Sequence, residues 1–446
     1  MPRTKADKPA GDESGQPTVL VIGEGDLTDE TVRALEALDA RVTRLSEPSE
    51  GDVRKALDDG VDSVAVVARA DPIVLRMALM VRAVSEDVPL LLTIFDPTMA
   101  GEVAREWSDT QVTSLADIVA PSLAGPCISE RFTAVTVDDG DPVGLIESDG
   151  EVTEEPITSP KPHPVQAAVR DLISPYDKSA ALLLFGALGL LSAFAVETVT
   201  AVFVLDESVV DATYGSAKTL VTVDPNPKIA EGPDWYKIFT SATMLVALVF
   251  AAGFTAGLVN RVIDRRLTGV LGRRAVPRRD HVVVVGLGQV GLRLCLLLRA
   301  CGIPVVAVER DEEGENVGIA KQAGLPVVVG RGADQSLLRR LSLPHATAVA
   351  AVTADDLENI SVAMAARAVH NGMHVVLRVG DGQVANETRS LLGLGLVRDV
   401  HRIAAAFLAT MALGREVESV ICLGEDAHLR LPDGRLERAA LTTMEG

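Results

Sequence analysis

The sequence is poor in the features that mark secreted, redox-active or nucleic-acid-binding chains. Only four cysteines occur in 446 residues, Cys127, Cys295, Cys301 and Cys422, and no two form a C-x-x-C pair. They read as buried thiols of a reducing compartment. The first sixteen residues hold no apolar run, so they are no secretory signal. A disordered cytoplasmic start over 1–16 is the simpler expectation. No Lys/Arg-rich patch with interleaved aromatics occurs, and the formal net charge is −20. A phosphate backbone needs a basic surface to replace its counterions, so nucleic acid is excluded as a partner. Catalytic spacing is also missing. His281, His345, His370, His374 and His401 are scattered, and nothing after the cofactor-type segment supplies an acid–base partner. The chain is therefore not expected to be an enzyme.

What is abundant is apolar character: 48% of residues are hydrophobic and the mean hydropathy is +0.25. The excess is concentrated in two stretches. Ser179 to Val196 carries no charge, with apolar character resuming after Glu197 as far as Leu205, and Ile238 to Asn260 is also uncharged. Each is near the roughly 20 residues that span about 30 Å of hydrocarbon. Arg261, Arg265, Arg266, Arg273, Arg274, Arg278 and Arg279 follow the second stretch, and Arg170 and Lys178 precede the first. The positive-inside rule then predicts a multi-pass protein of the plasma membrane with both termini cytoplasmic and 206–237 outside. Glu197 is expected either to snorkel to the outer interface or to face a conduction path. Gly253 and Gly257 form G-x-x-x-G, which suits either close helix packing or the bend of a gate.

The clearest nucleotide signal begins at His281. A valine strand runs into Gly286-Leu287-Gly288-Gln289-Val290-Gly291, then a helical pattern, then a second strand ending at Glu309. Such glycines permit a tight turn and close approach of a pyrophosphate to the helix N-terminus. An acid about 20 residues on is placed to accept from ribose hydroxyls. Arg310 beside it leaves a 2′-phosphate admissible. Residues 63–96 align without a gap to 348–381: Asp71 meets Asp356, Ala78 meets Ala363, Arg82 meets Arg367, Leu92 meets Leu377 and Asp96 meets Asp381. Residues 18–45 match the glycine-loop unit in the same way, and short β-rich tails are expected around 131–147 and 417–431. The domain is duplicated, with a membrane hairpin between the copies. In the first copy the loop reads Gly23-Glu24-Gly25-Asp26 and the second strand ends at Ser46. Carboxylates there repel a nucleotide. That copy is expected to be structural, with a divalent cation or other ligand at Glu24 and Asp26 as the alternative.

Taken together, GLGQVG, Glu309, the run VVVGRGAD ending at Asp334, and TADDLENISVAMAAR make the second copy resemble an RCK (regulator of K⁺ conductance, Trk-type NAD-binding) domain. The hairpin resembles the two-helix pore module of K⁺ channels, with Asp211 to Val223 as pore helix and Trp235 onward as inner helix. The resemblance implies a membrane α-helical hairpin (two transmembrane helices plus pore loop) combined with two α/β Rossmann-type RCK domains. It implies NAD(H) or an adenine nucleotide (ATP or ADP) as regulatory ligand, a homotetramer in the lipid bilayer, and cations as the conducted species. Where a K⁺ filter reads TVGYGD, this chain has Thr222-Val223-Asp224-Pro225-Asn226 followed by Pro227. Prolines fix φ where glycines would give the dihedrals that aim carbonyls at an ion. Two readings stay open: a ring of Asp224 carboxylates that attracts cations, or a non-conducting anchor for a ligand sensor. The expected organisation is 1–16 disordered, 17–150 first Rossmann domain, 151–178 linker, 179–205 first transmembrane helix, 206–237 pore helix and filter-like loop, 238–264 second transmembrane helix, 265–280 basic linker, 281–415 second Rossmann domain and 416–446 β-rich tail.

Overall fold

Runs of valine, leucine and alanine without alternation suit strands buried on both faces, and this chain forms two such sheets. The computed structural model describes residues 16–138, 141–148, 151–157, 178–221, 227–263, 277, 279–388, 393–423 and 426–439. It divides into two compact units, 1–160 with 277–446, and 161–276.

In the first unit, the amino-terminal copy runs β1 (Thr18–Ile22), α1 (Asp26–Ala37), β2 (Arg41–Leu45), α2 (Glu50–Asp58), β3 (Ser63–Val66), α3 (Asp71–Val84), β4 (Leu90–Thr93), α4 (Pro97–Glu106), β5 (Thr110–Thr113) and α5 (Leu115–Ile128). Its parallel sheet has the order β2-β1-β3-β4-β5. An antiparallel tail follows: β6 (Ala134–Asp138), β7 (Asp141–Ser148) and β8 (Glu151–Pro156). β8 pairs with β7, so ordered strand extends six residues past position 150, into the stretch read from sequence as linker.

The second unit holds α6 (Lys178–Val204), α7 (Val209–Leu220), a 3-10 turn (Pro227–Ala230) and α8 (Asp234–Ile263). Both long helices are long and apolar enough to cross a membrane. Helix α7 occupies most of the stretch expected as pore helix, and the Ser208 hydroxyl caps it by accepting from Asp211 N at 3.1 Å. The filter-like residues Thr222, Val223, Asp224, Pro225 and Asn226 lie outside the described residues.

Glu197 does neither of the things expected of it. It is 2% exposed, and its Oε1 accepts from Tyr236 Oη at 3.2 Å and Thr240 Oγ1 at 3.0 Å. A carboxylate in an apolar hairpin is stable only with such partners, so this one ties α6 to α8. The closest approach within the hairpin involves two further glycines, on α6. A Cβ on Gly186 would lie 2.8 Å from Phe254 N, and one on Gly189 would lie 2.3 Å from the Phe250 ring. At Gly253 the nearest atom would be Leu182 Cδ2 at 3.8 Å. The tight seam is Gly186-x-x-Gly189 against Phe250 and Phe254, while Gly253 and Gly257 lie within the uninterrupted helix α8.

The carboxyl-terminal copy runs β9 (Val282–Val285), α9 (Gln289–Ala300), β10 (Val305–Glu309), α10 (Val317–Gln322), β11 (Val327–Val329), α11 (Gln335–Arg340), β12 (Ala348–Ala351), α12 (Asp356–Val369), β13 (Val375–Val379), α13 (Gly382–Glu387), β14 (Leu396–Asp399) and α14 (Val400–Ala412). The tail strands are β15 (Ser419–Leu423), β16 (Asp426–Arg430) and β17 (Leu436–Arg438). The six-stranded parallel sheet has the order β11-β10-β9-β12-β13-β14.

From β3 onward the copies repeat at a constant interval of 285 residues. Elements start at 63 and 348, 71 and 356, 90 and 375, 134 and 419, 141 and 426, and 151 and 436. The glycine loops, at 23 and 286, are 263 apart. The second copy thus holds 22 more residues in between (285 less 263), and these supply the extra edge strand β11. The repeat is chemical as well. The Asp71 carboxylate accepts from Phe95 N and Asp96 N at 2.9 and 2.8 Å. Asp356 accepts from Gly380 N and Asp381 N at 3.0 and 3.1 Å.

The copies interlock. Helix α5 packs on α9 and on β12 and β13 of the second copy, while α14 packs on α1 and on β3 and β4 of the first. One continuous core results, holding Val19, Leu35 and Leu123 together with Val284, Leu298 and Leu408. The tails meet through Ala134, Leu145 and Ile421, and Arg430 Nη2 donates to Glu154 Oε1 at 2.5 Å.

Gly186→Val should force α6 off Phe254 and cost about 1–3 kcal/mol, as overpacking does. Gly253→Ala, with room for its methyl, should cost nothing. Thermal unfolding of the two variants in detergent measures the contrast.

Candidate functional site

The site assembles where β9 ends. Gly286 has φ +95, and a Cβ there would meet Thr353 at 2.8 Å, so only glycine makes this turn without strain. A Cβ on Gly291 would lie 1.9 Å from the Gly286 carbonyl oxygen, which lets α9 start hard against the strand it follows. Gly288 is different: nothing lies within 4 Å of its Cβ position. Two of the three glycines are needed by the protein itself, and the middle one faces open space.

Leu287 and Val290 are buried at 2% and 3% exposure, so the loop is pinned from below while its backbone stays accessible. Helix α9 has no side-chain cap and no acid in its first turn. Its leading N–H groups and the positive end of its dipole are thus available to an anion. The Gln289 side chain turns away and donates to the Arg69 carbonyl in the first copy at 3.3 Å.

Glu309 closes one side. Its Oε2 accepts from Leu287 N at 2.8 Å, and Oε1 accepts from Arg310 N at 2.8 Å and Asp311 N at 3.2 Å. These bonds fix the carboxylate against the glycine loop, and each oxygen keeps acceptor capacity for a hydroxyl. Arg310 reaches toward Glu358, Nη1 to Oε1 3.9 Å. Asp334, expected in the binding set, caps α11 by accepting from Ser336 N at 2.8 Å.

Several supporting residues were missed in sequence. Asn359, fully buried, accepts from Thr353 N at 2.9 Å and donates to the Thr353 and Arg378 carbonyls at 3.0 and 2.9 Å. It holds the loop after β12 beside Gly286. Arg378 donates to Thr353 O at 3.1 Å. Burial pushes its guanidinium below the ordinary range, with Asp356 opposing the shift. The signal for Asn359 was present in TADDLEN, a polar residue placed on an otherwise apolar helix face.

The first copy is built otherwise at each of these points. Its helix starts with Asp26 and Asp29 in the first turn, Glu24 is exposed, and Thr28 stands where the third glycine would be. The Thr28 hydroxyl donates to the Val67 carbonyl at 3.1 Å. Among the described residues no cluster of three or more His, Cys, Asp or Glu is placed to hold a metal ion, so Glu24 and Asp26 are not joined there by further ligands.

All four cysteines are buried and none is in a disulfide. Burial pushes the Cys127 thiol up to about 12 and Cys301 to about 11. His281 is buried with Nε2 3.0 Å from the Leu341 carbonyl. Burial lowers its pKa, as it does that of His401.

A six-stranded parallel sheet in the order 3-2-1-4-5-6, with G-x-G-x-x-G at its first crossover, is a doubly wound fold of the dinucleotide-binding class. The comparisons are specific on this point. The TrkA-N domain model matches residues 282–394. The chain is 22% identical over 219 residues to the voltage-gated potassium channel Kch of Escherichia coli, 48% of this chain and 52% of that protein. It is 33% identical over 128 residues to the Trk system potassium uptake protein TrkA of Streptomyces coelicolor, 29% of this chain and 56% of the relative. It is 22% identical over 99 residues to potassium channel protein 1 of Methanocaldococcus jannaschii, 22% of this chain and 30% of that one. The chain thus spans about half or less of the length of the curated relatives it matches. A solved structure of the GsuK channel bound to NAD is similar at 13% identity and TM-score 0.49, over 90% of this chain and 64% of that chain. Potassium channel relatives and two bilayer-length apolar helices mark a membrane protein.

Gly291→Ala should lower the thermal midpoint by the equivalent of about 1–3 kcal/mol, because the methyl meets a carbonyl that cannot retreat. Gly288→Ala should leave it unchanged. Differential scanning of the two variants checks the assignment of one glycine to packing and the other to an open face.

Proposed function

We propose that this chain is a ligand-gated, cation-channel-like membrane protein whose second Rossmann copy binds NAD(H) or an adenine nucleotide. The observation that carries this reading is the Glu309 carboxylate held 2.8 Å from Leu287 N beside an uncapped helix N-terminus. An acceptor for ribose hydroxyls and a donor cradle for phosphate sit at adjoining points of one loop. The binding set is Gly286, Leu287, Gly288, Gln289, Val290, Gly291, Glu309 and Arg310, with Asp334 acting through the helix it caps. The chain performs no catalysis in this scheme.

One hairpin cannot enclose a pore, so the working unit is a homotetramer in the plasma membrane, multi-pass, with both termini cytoplasmic. Gating is a coupling free energy between two sites. A nucleotide that binds one conformation of the Rossmann copies better than another biases the inner helix through the basic 265–280 segment, which joins the two directly in the chain. A ligand of equal affinity for both conformations gates nothing. Asp224 supplies a ring of four carboxylates that attracts cations, and Gly253 or Gly257 gives the inner helix its bend. A second reading has support of its own from Pro225 and Pro227, which remove the backbone freedom of a K⁺ filter. In it the hairpin anchors a non-conducting nucleotide sensor or the regulatory subunit of a transporter.

Calorimetry on the purified chain should show nucleotide binding that weakens about 10- to 100-fold in Glu309→Ala, the range expected for lost hydrogen bonds to a charged group. Unchanged affinity would sink the site. Flux of K⁺, Na⁺ and Ca²⁺ into proteoliposomes, with and without NAD(H) and ATP, tests the pore. Conduction predicts flux that falls in Asp224→Asn. Silence under every ligand with the tetramer intact selects the sensor.

A further inference from the structure

The amino ends of the first sheet's strands hold a cleft of about 330 Å³, whereas the glycine loops leave from carboxyl ends of strands. Small-molecule sites begin at about this size, roughly 300 Å³. The floor is apolar: Val19 of β1 and Leu90 and Leu91 of β4 line it, and none of them is more than 3% exposed. The other wall comes from the second copy, where Met411 to Gly414 carry the chain out of α14. The Ser63 hydroxyl ties the two walls together by donating to the Ala412 carbonyl at 2.5 Å.

Two carboxylates stand at the rim, Asp62 and Asp109, and no basic side chain lines the cleft. Asp62 precedes β3 and Asp109 precedes β5, with β4 between those strands in the sheet. Two strand spacings thus separate their backbone positions, about 10 Å. Asp62 Oδ2 accepts from Thr18 N at 2.7 Å, which fixes that carboxylate against the sheet edge. The Asp109 carboxylate accepts no hydrogen bond from a described residue. Neighbouring bases are committed elsewhere. Arg82 donates to the Val88 carbonyl at 2.7 Å and to Thr110 Oγ1 at 2.9 Å, and Arg415 pairs with Glu437.

The fold does not ask for acids at these places. The copies repeat at 285 residues from β3 onward, so the second has Thr347, Ala348, Leu394 and Leu396 where the first has Asp62, Ser63, Asp109 and Gln111. The ladders agree with that correspondence: Leu91 pairs with Gln111, and Val376 with Leu396. Leu394 is 8% exposed and Ala348 is fully buried, so packing accepts hydrocarbon at this edge of the second sheet. Carboxylates at both ends of an apolar floor suit a ligand that is cationic at both ends and apolar between.

We propose that this cleft binds a short linear aliphatic diamine, with one ammonium group at Asp62, the other at Asp109, and the methylene chain across Leu90 and Leu91. Ammonium groups donate charge-assisted hydrogen bonds to carboxylates, and methylenes gain by leaving water. An inorganic cation gains nothing from the floor, and a monoamine satisfies one rim acid only. Because the walls belong to different copies, the bound amine clamps the end of α14 onto the first sheet. The site is separate from the Gly286–Gly291 loop, and its occupancy does not depend on that loop binding a nucleotide.

Calorimetry and thermal unfolding of the full chain in detergent test this, with cadaverine as the probe. One molecule should bind per chain and raise the thermal midpoint, while pentylamine and Mg²⁺ bind about 10-fold or more weakly. Asp62→Asn and Asp109→Asn should each weaken cadaverine binding about 10-fold or more. The midpoint without amine should not move in either, because both side chains are exposed. Glu47→Gln combined with Glu313→Gln removes two exposed charges elsewhere and should leave binding unchanged. The proposal is overturned if cadaverine does not bind, if Mg²⁺ or pentylamine binds as well, or if the Glu47/Glu313 pair matters as much as the rim acids.

Discussion

A helix that is apolar on every face must be surrounded by apolar neighbours, and this chain has two of them in the unit that holds the Rossmann copies. Helix α5 buries Ala116, Ile118, Ala120, Ser122, Ala124 and Gly125, residues on all sides of its axis, and α14 buries Ile403 through Thr410 without a break. No single sheet offers enough surface to cover such a helix. Each is covered by the opposite copy as well as by its own, which fuses two Rossmann halves into one core. The duplication, the divergence of the first copy and the placing of the glycine loop all operate inside that constraint.

Fusion of the copies explains how one could lose its ligand chemistry without losing its fold. The residues that shape the first sheet and its helices are retained: Asp71 holds the loop after β4 as Asp356 holds the loop after β13. What has gone is the open glycine loop. Thr28 fills the space of the third glycine, acids occupy the first helical turn, and the 22-residue segment carrying the edge strand is missing. The first set belongs to the packing of the sheets, whereas the second lies at an open loop that the packing does not need.

The membrane hairpin solves a different problem. Lipid offers no gain for apolar contact between helices, so close approach and polar ties decide their packing. Gly186 and Gly189 let α6 approach the Phe250 and Phe254 side of α8, and Glu197 accepts from Tyr236 and Thr240 across the seam. An ionisable side chain at such a place cannot be assigned from hydropathy, because its partners lie about 40 residues away in the chain.

Sequence alone determined the two sheets, the repeat, the hairpin and the glycine loop, because each is encoded locally. Unbroken valine runs, G-x-G-x-x-G with Glu309 behind it, and uncharged stretches of bilayer length have few alternative readings. The pairing of Asp71 with Asp356 was visible by alignment, though not what either carboxylate holds. Tertiary structure decided everything that depends on which faces meet. It put Gly186 and Gly189 at a close seam, turned Glu197 into a tie between helices, made Asp334 a helix cap, and brought Arg293 to Asp117 from 176 residues away. Contacts between elements distant in the chain follow from the complementarity of whole surfaces, and no short stretch of residues contains that information.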